Sequence, residues 1–354
     1  MRAAVLRSFG GPEALRVASD VPVPSCGPRE VLVRVAAASV NPLDCRVRAG
    51  YGRALYEPML PLVLGRDVSG EVVARGDAAR AFPLGAAVFG ALSPVAPRGT
   101  HAEYVAVPEA HLARVPPGWS HIDAAAVPFA ALTAWRALFT TANLRPGERL
   151  LVLGAGGAVG AAATHLASAR ACPVAVTCAE SDASRLVDAG AFDAWDYRSD
   201  VSLTAHAKTR DWAPFDVALD CVGGVKSERA ATRLLRKGVG RVVTLHGALA
   251  GEIGEKGILL GGAAAAFELA RKKTLMRASE DVGYHWSVMR PDADGMAAVA
   301  RLAGEGRMRT PVGATFPLER AGEAYAAAEG GKAGGKVVLV PWTPEVEGEG
   351  GTRG

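Results

Sequence analysis

The sequence predicts an α/β protein in two parts: a β-rich, barrel-like domain, then a doubly wound domain with a parallel sheet. Three observations predict it. The run Leu150-Leu151-Val152-Leu153 reads as a short buried strand, and glycines follow at Gly154, Gly156, Gly157 and Gly160 before an alanine-rich helix. Beyond this point strand-like and helix-like segments alternate, the rhythm of parallel βαβ units. Before it, short strands punctuated by Gly and Pro recur, as in folded-over antiparallel domains.

Composition sets the bounds. The chain has 354 residues, enough for two domains, and 49% of them are apolar, so sizeable cores can form. Lys and Arg total 40 against 36 Asp and Glu, a net charge of +4, with no long basic run. Nothing in that balance implies nucleic acid. Cys26, Cys45, Cys172, Cys178 and Cys221 are odd in number and scattered, with no C-x-x-C. Neither a disulfide framework nor a structural zinc site is expected, and free thiols in a reducing compartment are. The longest apolar stretches are broken by glycine and fall short of a membrane span. No secretory signal or Arg/Ser-rich transit segment is visible.

The elements follow in order. Residues 2–6 and 15–18 read as a strand pair around the turn Gly10-Gly11-Pro12. In 30–35, Val31, Val33 and Val35 share one face of a strand. The run 38–44 ends a strand and starts a helical turn. Further strands are expected around 65–70, at 88–91 and at 101–107. Ser120, with Asp123 three residues on, marks a helix start, and helix continues to about 142. Strands are then expected at 149–153, 174–178, 193–195, 216–220, 241–245 and 273–277. Helices are expected at 158–170, 182–189, 226–237, 257–271 and 292–305. A β-rich return covers 312–340 with a helix near 319–329, and the Gly- and charge-rich tail 341–354 is expected to be disordered. The domain division is 1–125 with 306–340, and 126–305.

Strand, glycine turn and helix together form the context of a dinucleotide-phosphate loop. Glycine lets the backbone turn sharply and lets a pyrophosphate approach, and the helix N-terminus offers free N–H groups and partial positive charge. The spacing is G-x-x-G-x-x-G through Gly154, Gly157 and Gly160, with Gly156 added and Val159 inside. The alternative is a tight turn without a ligand. Glu180 lies about 20 residues beyond the glycines, where a ribose-binding acid is often found. It reads either as that acid or as a solvated turn residue. Arg185 and Arg198 are close enough in sequence to meet a 2′-phosphate. His246 and His285 read first as satisfied histidines.

Six stretches carry a family resemblance: Ser39-Val40-Asn41-Pro42-Leu43-Asp44, Gly65-Arg66-Asp67-Val68-Ser69-Gly70, Leu132-Thr133-Ala134-Trp135, the glycine loop, Asp196-Tyr197-Arg198 and Gly335-Lys336-Val337-Val338. Over about 1–340 the chain resembles a zinc-free medium-chain dehydrogenase/reductase of the quinone oxidoreductase branch. Its wording at 41–52, 219–224 and 284–286 is similar to a mitochondrial group within that branch. The resemblance implies a GroES-like barrel domain and a Rossmann domain. Zinc-dependent cousins hold a Cys in the first substrate loop and a G-H-E motif. Here those places are Asn41-Pro42-Leu43-Asp44 and Gly65-Arg66-Asp67, so no three-ligand metal set is expected.

The resemblance further implies hydride transfer from NADPH to a quinone or enone. Asn41, Tyr51 and Asp44 are implied to line the cleft near the nicotinamide. Asn41 and Tyr51 would hydrogen-bond the acceptor oxygen, and Tyr51 or water would donate the proton. The alternative for Asn41 is that it ties down its pre-proline turn, and for Asp44 that it pairs with Arg46 or Arg48. Thr133 is implied to lie beside the cofactor. Gly154, Gly156, Gly157, Ala158, Val159 and Gly160 match the pyrophosphate loop. Tyr197 matches a residue near the 2′-phosphate and favours NADPH over NADH, although Ala179-Glu180 replaces the serine or basic residue usual there. Cys221, Ser287 and Met289 are carried over as cofactor contacts, as is the stretch Lys332, Ala333 and Gly334. Tyr51, Tyr56, Met59 and Trp286 are expected at an apolar cleft mouth. The alternatives are a 2-enoyl thioester reductase or a non-catalytic NADPH-binding interaction protein. A homodimer joined edge to edge is expected, with the mitochondrial matrix as location by resemblance and the cytoplasm as alternative.

Overall fold

Six parallel strands build the central sheet of the second half, in the order Ala191–Asp196, Val174–Cys178, Leu150–Leu153, Val217–Asp220, Arg241–Thr244, Gly283–Trp286. Numbered along the chain, this is the 3-2-1-4-5-6 order of the doubly wound nucleotide-binding fold. Every residue of Leu150–Leu153 is buried, as a strand covered by helices on both faces requires. The computed structural model describes residues 1–342, and the expected disordered tail lies outside the described residues from 343 onward.

The first half and the C-terminal return share a second sheet, ordered Val312–Pro317, Lys336–Val340, Glu30–Val40, Asp67–Arg75, Ala87–Ala91, Leu112–Arg114, with Tyr104–Pro108 also pairing with Glu30–Val40. Val31, Val33 and Val35 all point into its core. Ala3–Leu6 pairs with Leu15–Ala18 and with Leu62–Val63 in a small third sheet. The last strand is thus knitted into the first half: Val337 sits opposite Val40, and Val338 opposite Ser39.

Two readings need correction. Residues 273–277 are not a strand. They lie in the long helix Leu249–Glu280, where Leu269 and Met276 pack on the sheet at helical spacing. The sixth strand is instead Gly283–Trp286, paired in parallel with Arg241–Thr244. The apolar content was also underweighted: the stretch His121–Thr141 is long and apolar enough to cross a membrane by composition, but 72% of its most apolar window is buried inside the protein. Two short helices, Arg53–Tyr56 and Leu203–Thr209, escaped the sequence reading.

Candidate active site

The glycine turn is shaped by what surrounds it. Gly154 has a left-handed φ of 81°, and its N–H donates to Thr177 Oγ1 at 3.0 Å, so the neighbouring strand fixes the turn. Gly160 lets the helix close on the loop, because a Cβ there would stand 2.6 Å from Ala155 Cα. The helix Ala158–Ser168 starts at Gly157, and no side chain caps it. Its first N–H groups have no intrahelical partner. They open toward a cleft of about 660 Å³. An uncapped, positive helix end beside a concavity fits the diphosphate of a dinucleotide.

That cleft is lined by Gly156, Gly157 and Ala158, by Ala179, Arg185, Tyr197 and Arg198, and by Gly334 and Lys336 from the C-terminal return. The Arg198 guanidinium lies 5.2 Å from the Tyr197 ring centroid and donates to its hydroxyl at 3.1 Å. Arg185 Nη2 donates to Gly156 O at 3.2 Å and to Asp182 Oδ1 at 2.6 Å. Two guanidinium groups therefore stand with one tyrosine along this cleft. Glu180 begins the helix Glu180–Asp188 as an exposed residue and does not line the cleft. Gly154, Val159, Gly160, Cys221, Lys332 and Ala333 do not line it either. Desolvation, then the Asp220 carboxylate, push the Cys221 thiol up, so it stays protonated.

A second cleft, of about 250 Å³, is walled mainly by apolar side chains. Tyr51, Thr133, Ser287 and Met289 line it, with Leu43, Leu55, Phe129, Leu249 and Ile253. Tyr56 and Trp286 also line it, and Met59 does not. Thr133 Oγ1 donates to Phe129 O at 2.6 Å, and Thr141 Oγ1 donates to Ser287 Oγ at 3.3 Å. Of the two histidines, His246 Nε2 lies 3.0 Å from Cys221 O, and His285 lines a surface groove away from this cleft.

Asn41 and Asp44 sit in neither cleft; both side chains are buried in a hydrogen-bonded cluster. Asn41 caps the helix Pro42–Arg48, and its N–H donates to Asp44 Oδ2 at 2.9 Å. Asp44 Oδ1 accepts from Gly65 N–H at 3.2 Å, so neither Arg46 nor Arg48 is its partner; Arg48 pairs with Glu329. Asn41 Nδ2 donates to Asp67 Oδ2 at 2.8 Å, and its Oδ1 accepts from Lys336 Nζ at 2.6 Å. Ser39 Oγ donates to Asp67 Oδ2 at 2.5 Å, and Lys336 Nζ lies 3.2 Å from the same oxygen. Asp67 Oδ1 accepts from Phe129 N–H at 2.6 Å. Arg66 is buried beside this cluster, with Nη1 donating to Ala96 O and Arg98 O, both at 3.0 Å. Among the described residues no three of His, Cys, Asp and Glu gather as a metal-binding set.

Two family profiles match the chain. A family profile described as alcohol dehydrogenase GroES-like domain matches residues 27–117, and one described as zinc-binding dehydrogenase matches 189–339. The chain is 34% identical to the mitochondrial NAD(P)H oxidoreductase RTN4IP1 of Bos taurus, over 96% of this chain and 89% of that protein. It is 32% identical to a quinone oxidoreductase of Lama guanicoe, over 96% and 97% of the two chains. The solved structure of the quinone oxidoreductase from Coxiella burnetii superposes with a TM-score of 0.76 at 25% identity, covering 96% of this chain and 99% of that one. The chain belongs to the quinone oxidoreductase branch of the medium-chain dehydrogenase/reductases. It is an oxidoreductase of the kind that uses a nicotinamide cofactor.

Membership in this branch leaves part of the site to the structure. Lys336 was visible only as one letter of a motif; a cation heading the apolar strand Lys336–Val340 was the signal that it has a buried partner. Leu249, Ala250 and Ile253 were missed because the helix was expected to start at 257, eight residues after its observed beginning at Leu249.

Proposed function

We propose that this chain is an NADPH-dependent, zinc-independent reductase that passes hydride to a quinone or another conjugated carbonyl acceptor. One observation carries the reading: a mainly apolar cleft lies at the carboxyl ends of the parallel strands, where such sheets bind ligands, and Trp286, Ser287 and Met289 of the last strand end form one wall. In this reading residues 1–125 with 306–340 shape the acceptor side and 126–305 hold the cofactor.

A bound reduced nicotinamide supplies the hydride. The chain's own residues align and hydrogen-bond. The loop at Gly156, Gly157 and Ala158 holds the diphosphate on backbone N–H groups. Arg198, Tyr197 and Arg185 meet the 2′-phosphate, two forked cations suited to that dianion, and this supports NADPH over NADH. Lys332 is not part of this proposal's phosphate site. Tyr51, a phenol in an otherwise greasy wall, donates to the acceptor oxygen as charge develops there. Thr133 and Ser287 set the depth of the cleft. Asn41 and Asp44 enter as positioning residues, since their side chains are spent on the turn and the buried cluster. Zinc independence is supported by the donor set: the place of the G-H-E histidine holds the guanidinium of Arg66, and the neighbouring Asp67 carboxylate is taken by the ammonium of Lys336. Two copies would join along the free edge of strand Gly283–Trp286. The mitochondrial matrix is the proposed location, with the cytoplasm as the alternative.

The test is NADPH oxidation against a panel of quinones, enones and 2-enoyl thioesters, before and after chelator treatment. Quinone or enone turnover that survives the chelator supports the proposal. Turnover confined to acyl thioesters makes the chain an enoyl thioester reductase. Tight NADPH binding without turnover makes it a nucleotide-binding interaction protein.

A further inference from the structure

The apolar cleft has one charged side chain in its wall. Among the described residues that line it, Arg46 alone is ionised. The helix Pro42–Arg48 turns Asp44, Cys45 and Arg48 inward and leaves Arg46 exposed. Arg34 and Arg48, before and after it in sequence, are paired with Glu71 and Glu329, and among the described residues Arg46 has no such partner. Asp44 is spent on the N–H groups of Asn41 and Gly65. Glu252, between the lining residues Ala250 and Ile253, is paired with Lys256 at 2.6 Å.

The Arg46 guanidinium lies instead over an aromatic ring. Its carbon is 6.0 Å from the centroid of Tyr51, whose N–H donates to Arg46 O at 2.8 Å. A guanidinium held over a ring keeps its edge of N–H groups free for another partner. Other polar groups of the cleft are occupied. Tyr56 Oη donates to Pro94 O at 3.1 Å, Trp286 Nε1 donates to Tyr284 Oη at 3.3 Å, and Thr133 donates to its own helix. What the wall offers a ligand is the hydroxyls of Tyr51 and Ser287 and the one fixed positive charge of Arg46. Its planar fork of donors matches the two oxygens of a carboxylate. A volume of about 250 Å³ is small for a ligand site, so the acid sits on a compact molecule and not on a long carrier.

We propose, on the reading of this cleft as the acceptor site, that the acceptor is a compact conjugated carbonyl compound bearing a carboxylate. Its carbonyl oxygen bonds Tyr51, and its carboxylate lies on the Arg46 guanidinium, across the breadth of the Tyr51 ring. The apolar body between them lies among Leu43, Leu55 and Trp286. A neutral quinone makes no use of the cation, so specificity is the difference between charged and uncharged acceptors of one shape.

A matched pair tests this: 4-carboxybenzalacetone and its primary amide, which differ in charge and little in shape. Both are titrated calorimetrically into the full chain with NADP+ present, and both are offered to it with NADPH. Wild type is expected to bind the acid about fivefold or more tighter than the amide, the upper range for an ion pair at a water-exposed rim. Salt should erode that advantage. Arg46→Gln is expected to bring the acid-to-amide ratio to about one, and Arg46→Glu to reverse it. Arg46→Lys should keep part of the preference, as a point charge without the fork. Arg46 is exposed, so all three variants should unfold at the wild-type temperature. The proposal is overturned by an acid that does not bind, by equal affinities in wild type, or by a preference that Arg46→Gln retains. Arg46-dependent affinity confined to a 2-enoyl coenzyme A thioester overturns it too and gives the cation to the phosphates of a carrier. The reaction is judged separately. An acid that binds through Arg46 and is not reduced upholds the carboxylate site and counts against the reductase reading. Acid and amide bound and reduced alike overturn the carboxylate site and uphold that reading.

Discussion

At the scale of single residues, the proposed 2′-phosphate site would separate two cofactors that differ by one group. Arg198 is stacked on Tyr197 and hydrogen-bonded to its hydroxyl, so the two side chains hold each other at the cleft. A phosphate would add charge-assisted bonds worth about 1.5–3 kcal/mol each. Arg198→Ala is therefore expected to weaken NADPH about tenfold or more and to leave NADH nearly unchanged. Nicotinamide fluorescence titrations of both cofactors check it. Equal losses for both would mean that the pair only shapes the cleft. Tyr197 and Arg198 were legible in the sequence because they adjoin in a motif. The cluster role of Asn41 and Asp44 was legible too, as a capping pattern: Asn, then Pro, with an acid at the third helical position. The family resemblance drew attention to cleft chemistry at these residues, and the local capping signal was given less weight.

At the scale of elements, the helix Ala158–Ser168 carries two measurable consequences. Gly157 has φ −75° and ψ 160°, a conformation any residue adopts, and a Cβ there would find only Gly154 O, at 3.7 Å. Gly157→Ala should therefore fold with unchanged or slightly raised stability, up to about 1 kcal/mol, through the stiffer unfolded chain. The added methyl stands where the diphosphate must approach, so cofactor affinity should fall about tenfold or more. Thermal unfolding beside an NADPH titration separates the two effects, and a variant that keeps its affinity would remove this loop from the cofactor site. His165, on the same helix, is pushed down to about 4 by desolvation, then by Arg185 and Arg307. Its folded pKa lies below its unfolded one, so the unfolded chain takes the proton first. The neutral form's stability is fully present above about pH 6.5 and is lost as pH falls toward 4, by up to about 3 kcal/mol. Urea midpoints from pH 7 to pH 4 should fall less steeply in His165→Gln than in wild type. Element type was well legible where apolar residues ran together, as in Leu150–Leu153. It failed at 273–277, where helical period outweighs a short β-like triplet, and at Gly283–Trp286, which has no run of aliphatic residues like that of Leu150–Leu153 to mark it.

At the scale of the whole molecule, Asp67 is the point where three distant parts of the chain meet. It lies on Asp67–Arg75, pairs with Lys336 of the last strand, and accepts from Phe129 N–H at the start of the helix Pro128–Trp135. No side chain of that helix's own N-terminus caps it, so Asp67 supplies the negative partner from a strand of the second sheet. The same helix presents Phe129 and Thr133 to the acceptor cleft. No sequence pattern could reveal this, because Asp67, Phe129 and Lys336 come together only when both sheets have formed. Removing one member of a buried ion pair strands the other, at about 3–5 kcal/mol, whereas replacing both with apolar residues of similar volume is often neutral. Asp67→Leu alone should therefore be strongly destabilising, and Asp67→Leu with Lys336→Met should recover much of the stability. Turnover should not recover with it. In the double variant Phe129 N–H has lost its acceptor, and the helix end that fixes one wall of the cleft is no longer anchored to the barrel. Urea unfolding together with kcat and KM on the best acceptor checks both halves. If turnover returned with stability, the cluster would be a folding device alone; if stability returns and kcat stays low, Asp67 is what aligns the acceptor side with the cofactor side.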